Sequence, residues 1–284
     1  MSGHPHTPKA TGIVRPSEFF QFVEATTFDP HHVVRVLRGE LAGVMFRGAV
    51  EPQVCARVAE NFSHHPQLRI RNDEAQARFL GTFHYQKTMP VYLDEAATFR
   101  DTMHHVFDGC DNAFQHVMSS LGAALAPDGV TVRVASHEGR DASEFVMRSW
   151  SGEGQFSLEP HDDCAQLNDE RQRGFEIQRV AAGPAVAFNL CLQTPGAGEL
   201  HYWNLEPDDA MRQRLGLQDT GYPYPLEVLE GIDKVVVPVR AGDLYFFNGK
   251  LIHAVAAQDK ATGYRSTISG LMGFCDPQTV IYWS

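Results

Sequence analysis

The sequence predicts an α+β chain that is mainly β: a sandwich or barrel in its second half, buttressed by helices in its first. Three observations predict it. After the turn signal Pro127-Asp128-Gly129 the chain becomes a succession of short runs rich in Val, Ile, Phe, Tyr and Trp, broken by Gly, Pro and Asp, and about ten such runs make a β-core. Before that turn, apolar residues recur at helical spacing. The length of 284 residues suits one large core, since β-rich barrels and sandwiches of this size are commonly single domains. The expected organisation is therefore a flexible N-terminus over 1–14 and one domain over 15–284, with a helical annex at 15–126 and a β-core at 127–284.

Taken in order, Ser17-Glu18 opens a run with Phe19, Phe20, Phe22 and Val23 that reads as helical, and Pro30 starts a second short helix through Val33, Val34 and Leu37, stopped by Gly39. Leu41–Phe46 reads as a strand. Pro52, at a first helical turn, starts a helix whose Cys55, Val58, Ala59 and Phe62 share one face. Residues 66–93 fit neither period. Their mix of Arg69, Arg71, Arg78 and Lys87 with Phe83, Tyr85 and other aromatics predicts a long loop, either a binding loop or lid or an ordinary solvated excursion. Residues 95–125 read as a long helix or helix pair.

The strands expected after 127 are Val130–Ala135, Glu144–Trp150, Gln155–Pro160, Pro184–Gln193, Glu199–Asn204, Lys234–Val239, Asp243–Phe247, Ile252–Ala256, Ser266–Phe274 and Thr279–Trp283. An insertion at 205–232 carries a short helix opened by Pro207-Asp208-Asp209 and a stiff Tyr222-Pro223-Tyr224-Pro225 loop. Asn248-Gly249 predicts a tight hairpin between the strands on either side of it.

Composition narrows the partners. A formal charge of −11 with a pI near 5.6, and no Lys/Arg block, argues against nucleic acid and anionic membrane. Five scattered cysteines without a C-x-x-C pair argue against a disulfide framework or zinc ribbon and favour a reducing cytoplasm. No apolar run is long enough for a signal or membrane-spanning segment. The expected partner is a small-molecule substrate, with a homodimer possible.

The chemistry gathers at Gln155–Asp163, where a strand-like run ends in His161 and Asp163. Residues two apart on a strand share a face, so this pair can offer an imidazole and a carboxylate to one divalent ion. Two histidines and one carboxylate form the facial triad of non-haem Fe(II). A His-x-Asp pair alone is a weak signal in a chain with 14 histidines. The second imidazole candidate is His253, on the strand after Asn248-Gly249 and among apolar neighbours, where a histidine needs a polar partner. On the following strand, Arg265 and Thr267 share a face suited to gripping a carboxylate.

His-x-Asp, a distant His, then Arg-x-Thr, all within the β-rich half, resembles the Fe(II)/2-oxoglutarate-dependent oxygenases, whose core is a double-stranded β-helix of jelly-roll or cupin-like form. More narrowly, Gly196-Ala197-Gly198-Glu199-Leu200, Gly242–Gly249, Arg265-Ser266-Thr267 and Ile281-Tyr282-Trp283-Ser284 are similar to the welwitindolinone/hapalindole-type aliphatic halogenases and their relatives that hydroxylate N-substituted amino acids. Those halogenases have Gly where this chain has Asp163, which favours hydroxylation.

The resemblance implies that His161, Asp163 and His253 hold Fe(II), and that Arg265 and Thr267 bind the distal carboxylate of 2-oxoglutarate. Arg148 is implied to reach 2-oxoglutarate or a substrate carboxylate, with Asn189 a further contact. It also implies a substrate wall at Phe83, Tyr85 and Gln86 and another at Ser157, Leu158 and Glu159. O2 is the co-oxidant, with ascorbate as an assisting reductant. The expected reaction hydroxylates an unactivated C–H of an amino acid, N-substituted amino acid or natural-product intermediate, releasing succinate and CO2. Desaturation by the same cofactors is one alternative, and a non-catalytic cupin-like binding protein is another.

Overall fold

Alternation along the strand Arg265–Asp276 decides the architecture. Arg265, Thr267, Ser269 and Leu271 line a central cavity, whereas Ile268 and Met272 lie in an apolar cluster on the opposite side, as a period of two requires. The computed structural model describes residues 10–71, 77–150, 154–258 and 263–284. Among these, ten strands form one sheet whose main path runs Phe22–Ala25, Gly43–Phe46, Leu244–Asn248, Val186–Gln193, Arg265–Asp276, Val146–Trp150, Ala77–Leu80 and Arg69–Arg71. The strand Thr279–Trp283 branches from Arg265–Asp276 and pairs in parallel with Thr131–Val134.

One face of this sheet is covered by the helices Pro30–Leu37, Pro52–Ser63 and Ala113–Leu125. Their Val33, Leu37, Val58, Phe62 and Leu121 bury against Phe188, Phe246, Ile268 and Met272, and this apolar burial is the main stabilising term. Capping sets where the helices begin: the Asp29 carboxylate accepts from His31 N at 2.9 Å and the Asn112 side chain from Gln115 N at 2.9 Å. The other face looks across the cavity to a four-stranded antiparallel sheet ordered Phe156–His161, His253–Ala256, Leu200–Trp203, Lys234–Val237. Behind that smaller sheet, Phe156, Trp203, Ile252 and Ala254 pack on Met211, Leu217, Tyr224, Val228 and Leu229 of the insertion. No helix among the described residues is long and apolar enough to cross a membrane, and the five cysteines are free.

All ten strands expected after residue 127 are present, with ends shifted by a few residues. The differences lie elsewhere. The phenylalanine run after Ser17 is a turn followed by the strand Phe22–Ala25, parallel to Gly43–Phe46, because ladder pairing outweighs a helical reading of a short apolar run. Residues 66–93 are not one loop: Arg69–Arg71 and Ala77–Leu80 pair at the sheet edge, and a helix runs from Met89 to Phe99. The annex at 15–126 is thus mixed, contributing four strands to the large sheet. The expected helix pair at 95–125 becomes the end of Met89–Phe99, a 3₁₀ turn Met103–Phe107 and the helix Ala113–Leu125.

Asn248-Gly249 does not close a hairpin, since Leu244–Asn248 belongs to the large sheet and His253–Ala256 to the small one. Of the N-terminal segment expected to be flexible, residues 1–9 lie outside the described residues, while Gly12–Ile13 pair with Glu206–Pro207 of the insertion.

Candidate metal centre and cosubstrate pocket

The change of sheet at Gly249 builds the metal centre. It carries the chain from the large sheet to the small one, where His253 falls directly opposite His161 in the antiparallel register, with ring centroids 4.1 Å apart. Asp163 lies two residues beyond the end of the His161 strand, in the following bend. Its position therefore comes from a different bond: Asp163 N donates to Gly249 O at 2.8 Å. Gly249 is required for that approach, because a Cβ there would fall 2.4 Å from Asp163 Oδ2 and 3.1 Å from Ala185 O.

Both imidazoles are oriented by the chain itself. His161 Nδ1 bonds the Glu159 carbonyl at 2.8 Å and His253 Nδ1 bonds the Leu251 carbonyl at 2.9 Å. A carbonyl only accepts, so each Nδ1 carries the proton and each Nε2 presents its lone pair. Those Nε2 atoms lie 3.9 and 3.5 Å from the Asp163 carboxylate oxygens. One candidate ligand atom from each of the three residues falls within 4.8 Å of the others, the one cluster of this kind among the described residues.

Burial pushes His161 and His253 down to about 4, so both are neutral near pH 7 and able to donate to a metal. Burial also pushes Asp163 up to about 6. Gln166 Nε2 donates to its Oδ1 at 3.0 Å, but one amide donor does not balance a buried carboxylate, which calls for a cation. The donor set, the proton-free Nε2 atoms and the under-compensated carboxylate all fit a divalent metal.

A cavity of about 750 Å³ joins the triad to Arg265 and Thr267 on the facing sheet, with Asn189 on the adjacent strand. Arg265 is 2% exposed; its Nη2 donates to Tyr245 Oη at 2.6 Å and its Nε is buried without a partner. A buried guanidinium lacking a carboxylate is an open anion site. Arg148 stands opposite Thr267 in register. Its Nε is likewise unpartnered, and its guanidinium lies 5.6 and 5.5 Å from the Phe83 and Trp150 ring centroids. Burial lowers Arg148 to about 10 against the opposing pull of Asp163, which leaves it charged at pH 7.

Phe83, Tyr85, Gln86, Ser157 and Leu158 line the same cavity. Glu159 is the exception: its side chain is not part of the lining, and its contribution is the carbonyl that orients His161. Lys87 also stays out, held by Glu95 at 2.8 Å, and the side chain of Arg71 lies outside the described residues. Sequence reasoning missed Tyr245, Trp150, Gln166, Thr220 and Tyr222, all in the lining. Trp150 was reachable, because it shares a strand face with Arg148 two residues earlier.

This fold and site define an Fe(II)/2-oxoglutarate-dependent dioxygenase. The sequence model of the carrier-protein-independent halogenase WelO5 family matches residues 18–284, and the chain belongs to that family. Over 273 residues it is 27% identical to the L-isoleucine 3(1)-dioxygenase of Pantoea ananatis (strain AJ13355), covering 93% of this chain and 89% of the relative. The crystal structure of an N-substituted L-amino acid dioxygenase from Burkholderia ambifaria AMMD superposes with a TM-score of 0.60 at 13% identity, covering 90% of this chain and 91% of that one. The same dioxygenase in complex with alpha-ketoglutarate gives 0.57 at 14% identity over the same shares. At these identities the two structures speak to the fold.

Proposed function

We propose that the enzyme hydroxylates an unactivated C–H bond of a small carboxylate-bearing molecule of the amino-acid type, free or N-substituted. We also propose that its two facing sheets are the double-stranded β-helix of one catalytic domain over residues 15–284. The layering of a large and a small sheet about one cavity supports the fold reading, and the relatives' activities on amino acids support the substrate class.

Arg148 carries the substrate reading. Among the described residues it is a second guanidinium without a carboxylate hydrogen-bond partner in the cavity that holds the triad and Arg265. With Arg265, Tyr245 and Thr267 assigned to the distal carboxylate of 2-oxoglutarate, charge balance leaves room for one more anion. A divalent ion with Asp163 nets one positive charge, the two arginines add two, and the cosubstrate dianion leaves one uncompensated. Unbalanced charge beside the buried Arg265 is costly, and a substrate carboxylate at Arg148 removes the imbalance.

His161 and His253 would hold the iron through Nε2 and Asp163 through its carboxylate. Bound iron, 2-oxoglutarate and O2 supply oxidative decarboxylation to succinate and CO2 together with transfer of one oxygen to carbon. The chain's own residues fix orientation and keep water out: Arg148 and Arg265 hold the two organic anions, and Phe83, Leu158 and Val255 wall the space between the sheets. Asp163 occupies the ligand position that a halide would need, so hydroxylation is the outcome this chain supports.

The test is an assay of the enzyme with Fe(II), ascorbate, 2-oxoglutarate and a panel of amino acids and N-acyl amino acids, read by mass spectrometry. The expected result is gain of one oxygen matched by succinate, with Arg148→Ala raising KM for the substrate more than for 2-oxoglutarate. Equal turnover of the corresponding amines, which lack the carboxylate, would contradict it.

A further inference from the structure

The insertion at 205–232 is tied to the metal-binding segment by bonds that the metal centre itself does not need. Asp162, 1% exposed, turns away from the metal and into the insertion. Its Oδ1 accepts from Cys164 N and Ala165 N at 2.9 Å each and from Arg212 Nη2 at 3.2 Å. Its Oδ2 accepts from Arg212 Nε at 3.2 Å and from Tyr224 Oη at 2.7 Å. Burial disfavours the Arg212 charge, but Asp162 outweighs it and holds the guanidinium above its ordinary range.

Two backbone bonds stitch the same segments together: Asp162 N to Gly221 O at 3.0 Å and Tyr224 N to Pro160 O at 2.8 Å. Gly221 admits no side chain, with φ +60° and a Cβ position 2.7 Å from Asp162 O and 2.8 Å from its Oδ2. Tyr222 lies between these stitches. Its ring meets the His161 ring edge-on, 6.3 Å between centroids and 66° from coplanar, and both Tyr222 and Thr220 line the cavity. Tyr85 lines the same cavity. Leu158 and Val255 complete an apolar slot beside the triad.

We infer that residues 217–225 are the specificity wall of this site. Tyr222 is its substrate-facing residue and Arg212 a positioning residue that sets the wall's distance from the metal through Asp162. The inference rests on the reading of the enzyme as an amino-acid hydroxylase and deepens it: the slot takes the aliphatic side chain of the substrate, and the space between Tyr222 and Tyr85 selects its size.

The experiment compares wild type, Tyr222→Ala, Tyr222→Phe, Arg212→Lys and Arg212→Met as iron-loaded full-length enzymes. The probes are L-alanine, L-valine, L-isoleucine, L-leucine, L-methionine, L-phenylalanine and their N-acetyl derivatives. Three quantities are read: kcat/KM for each probe, hydroxylated product per succinate, and Co(II) affinity by titration of the metal-free protein. Tyr222→Ala is expected to shift preference toward bulkier side chains by roughly tenfold or more, the scale on which a pocket discriminates single methylenes. Co(II) affinity should stay within about threefold of wild type, since Tyr222 is no ligand, and Tyr222→Phe should keep the wild-type order.

Arg212→Met is expected to lower product per succinate, and Arg212→Lys to restore it in part; a purely structural role would lower the amount of folded enzyme but not that ratio. An unchanged order of probes and an unchanged coupling ratio in Tyr222→Ala, measured beside an active wild type, would overturn the inference alone. Absence of succinate from the wild type, or hydroxylation of none of the probes, would overturn the underlying reading and the inference with it.

Discussion

His161 and His253 stand opposite each other in register on neighbouring antiparallel strands, and each ring bonds through Nδ1 to the backbone carbonyl two residues before it. The pair is therefore pre-oriented by local backbone, and a metal need only meet two Nε2 lone pairs already in place. Replacing His253 by Ala is expected to cost more metal affinity than the roughly 10–100-fold that losing an outer-sphere partner costs, while the far-ultraviolet circular dichroism stays that of wild type. Titration of the metal-free variant with Co(II) reads the first quantity. Loss of the fold itself would assign His253 to packing.

Arg265→Ala is expected to raise the KM for 2-oxoglutarate strongly and to leave metal affinity nearly intact, because its partner in the cavity is Tyr245 and not a metal ligand. Arg265→Lys should rescue only in part, since an ammonium has no bidentate fork. Tyr245→Phe removes one charge-assisted bond, worth about 1.5–3 kcal/mol, and should raise the same KM by roughly tenfold or more. Steady-state succinate release against 2-oxoglutarate concentration checks all three.

Gly249→Ala tests the steric account of Asp163. A methyl group 2.4 Å from Asp163 Oδ2 and 3.1 Å from Ala185 O forces the carboxylate or the turn to move. The expected result is weaker metal binding and lower activity, with a melting temperature reduced by only a few degrees. Metal titration and calorimetry separate the two effects. Wild-type metal affinity in this variant would show that the close approach does not matter.

Asp162 and Arg212 form a buried pair, with side chains 0% and 7% exposed. Truncating Arg212 to Ala leaves the buried Asp162 carboxylate without its counter-charge, held by Cys164 N, Ala165 N and Tyr224 Oη, and is expected to cost about 3–5 kcal/mol, measured by urea unfolding. A cost below about 1 kcal/mol, the range of exposed pairs, would mean that water reaches Asp162.

Much of this was legible in the sequence because strands write their faces in a period of two. His-x-Asp, Arg-x-Thr and the lone His253 are local patterns whose residues all line the cavity, although the strand period explains only Arg265 and Thr267: Asp163 lies past the strand end and is set by its bond to Gly249 O. What was illegible is what only tertiary pairing decides. The crossing from one sheet to the other at Asn248-Gly249 looks like a hairpin, because turn chemistry is local and sheet membership is not. The strand Phe22–Ala25 exists through its parallel neighbour Gly43–Phe46, and a phenylalanine run carries no sign of that. Tyr222 reaches His161 across 61 residues of sequence through the Asp162 pairing, with Arg212, Gly221 and Tyr224 appearing in the sequence as ordinary insertion residues. Glu159 was expected in a substrate wall; it is absent from the cavity lining and its carbonyl bonds His161 Nδ1, a role that no side-chain identity reveals.

The central claim, that Asp163 completes the triad and thereby commits the site to hydroxylation, is tested most directly by Asp163→Gly, with iron affinity measured by anaerobic titration and products by mass spectrometry in high chloride. The variant keeps two imidazoles and loses the charged ligand. The account predicts a marked fall in iron affinity and a crippled hydroxylase with at most traces of chlorinated product, because the surroundings that hold a halide have not been built around the vacated position. Hydroxylation at the wild-type rate with wild-type iron affinity would show that Asp163 is not a ligand and would contradict the account.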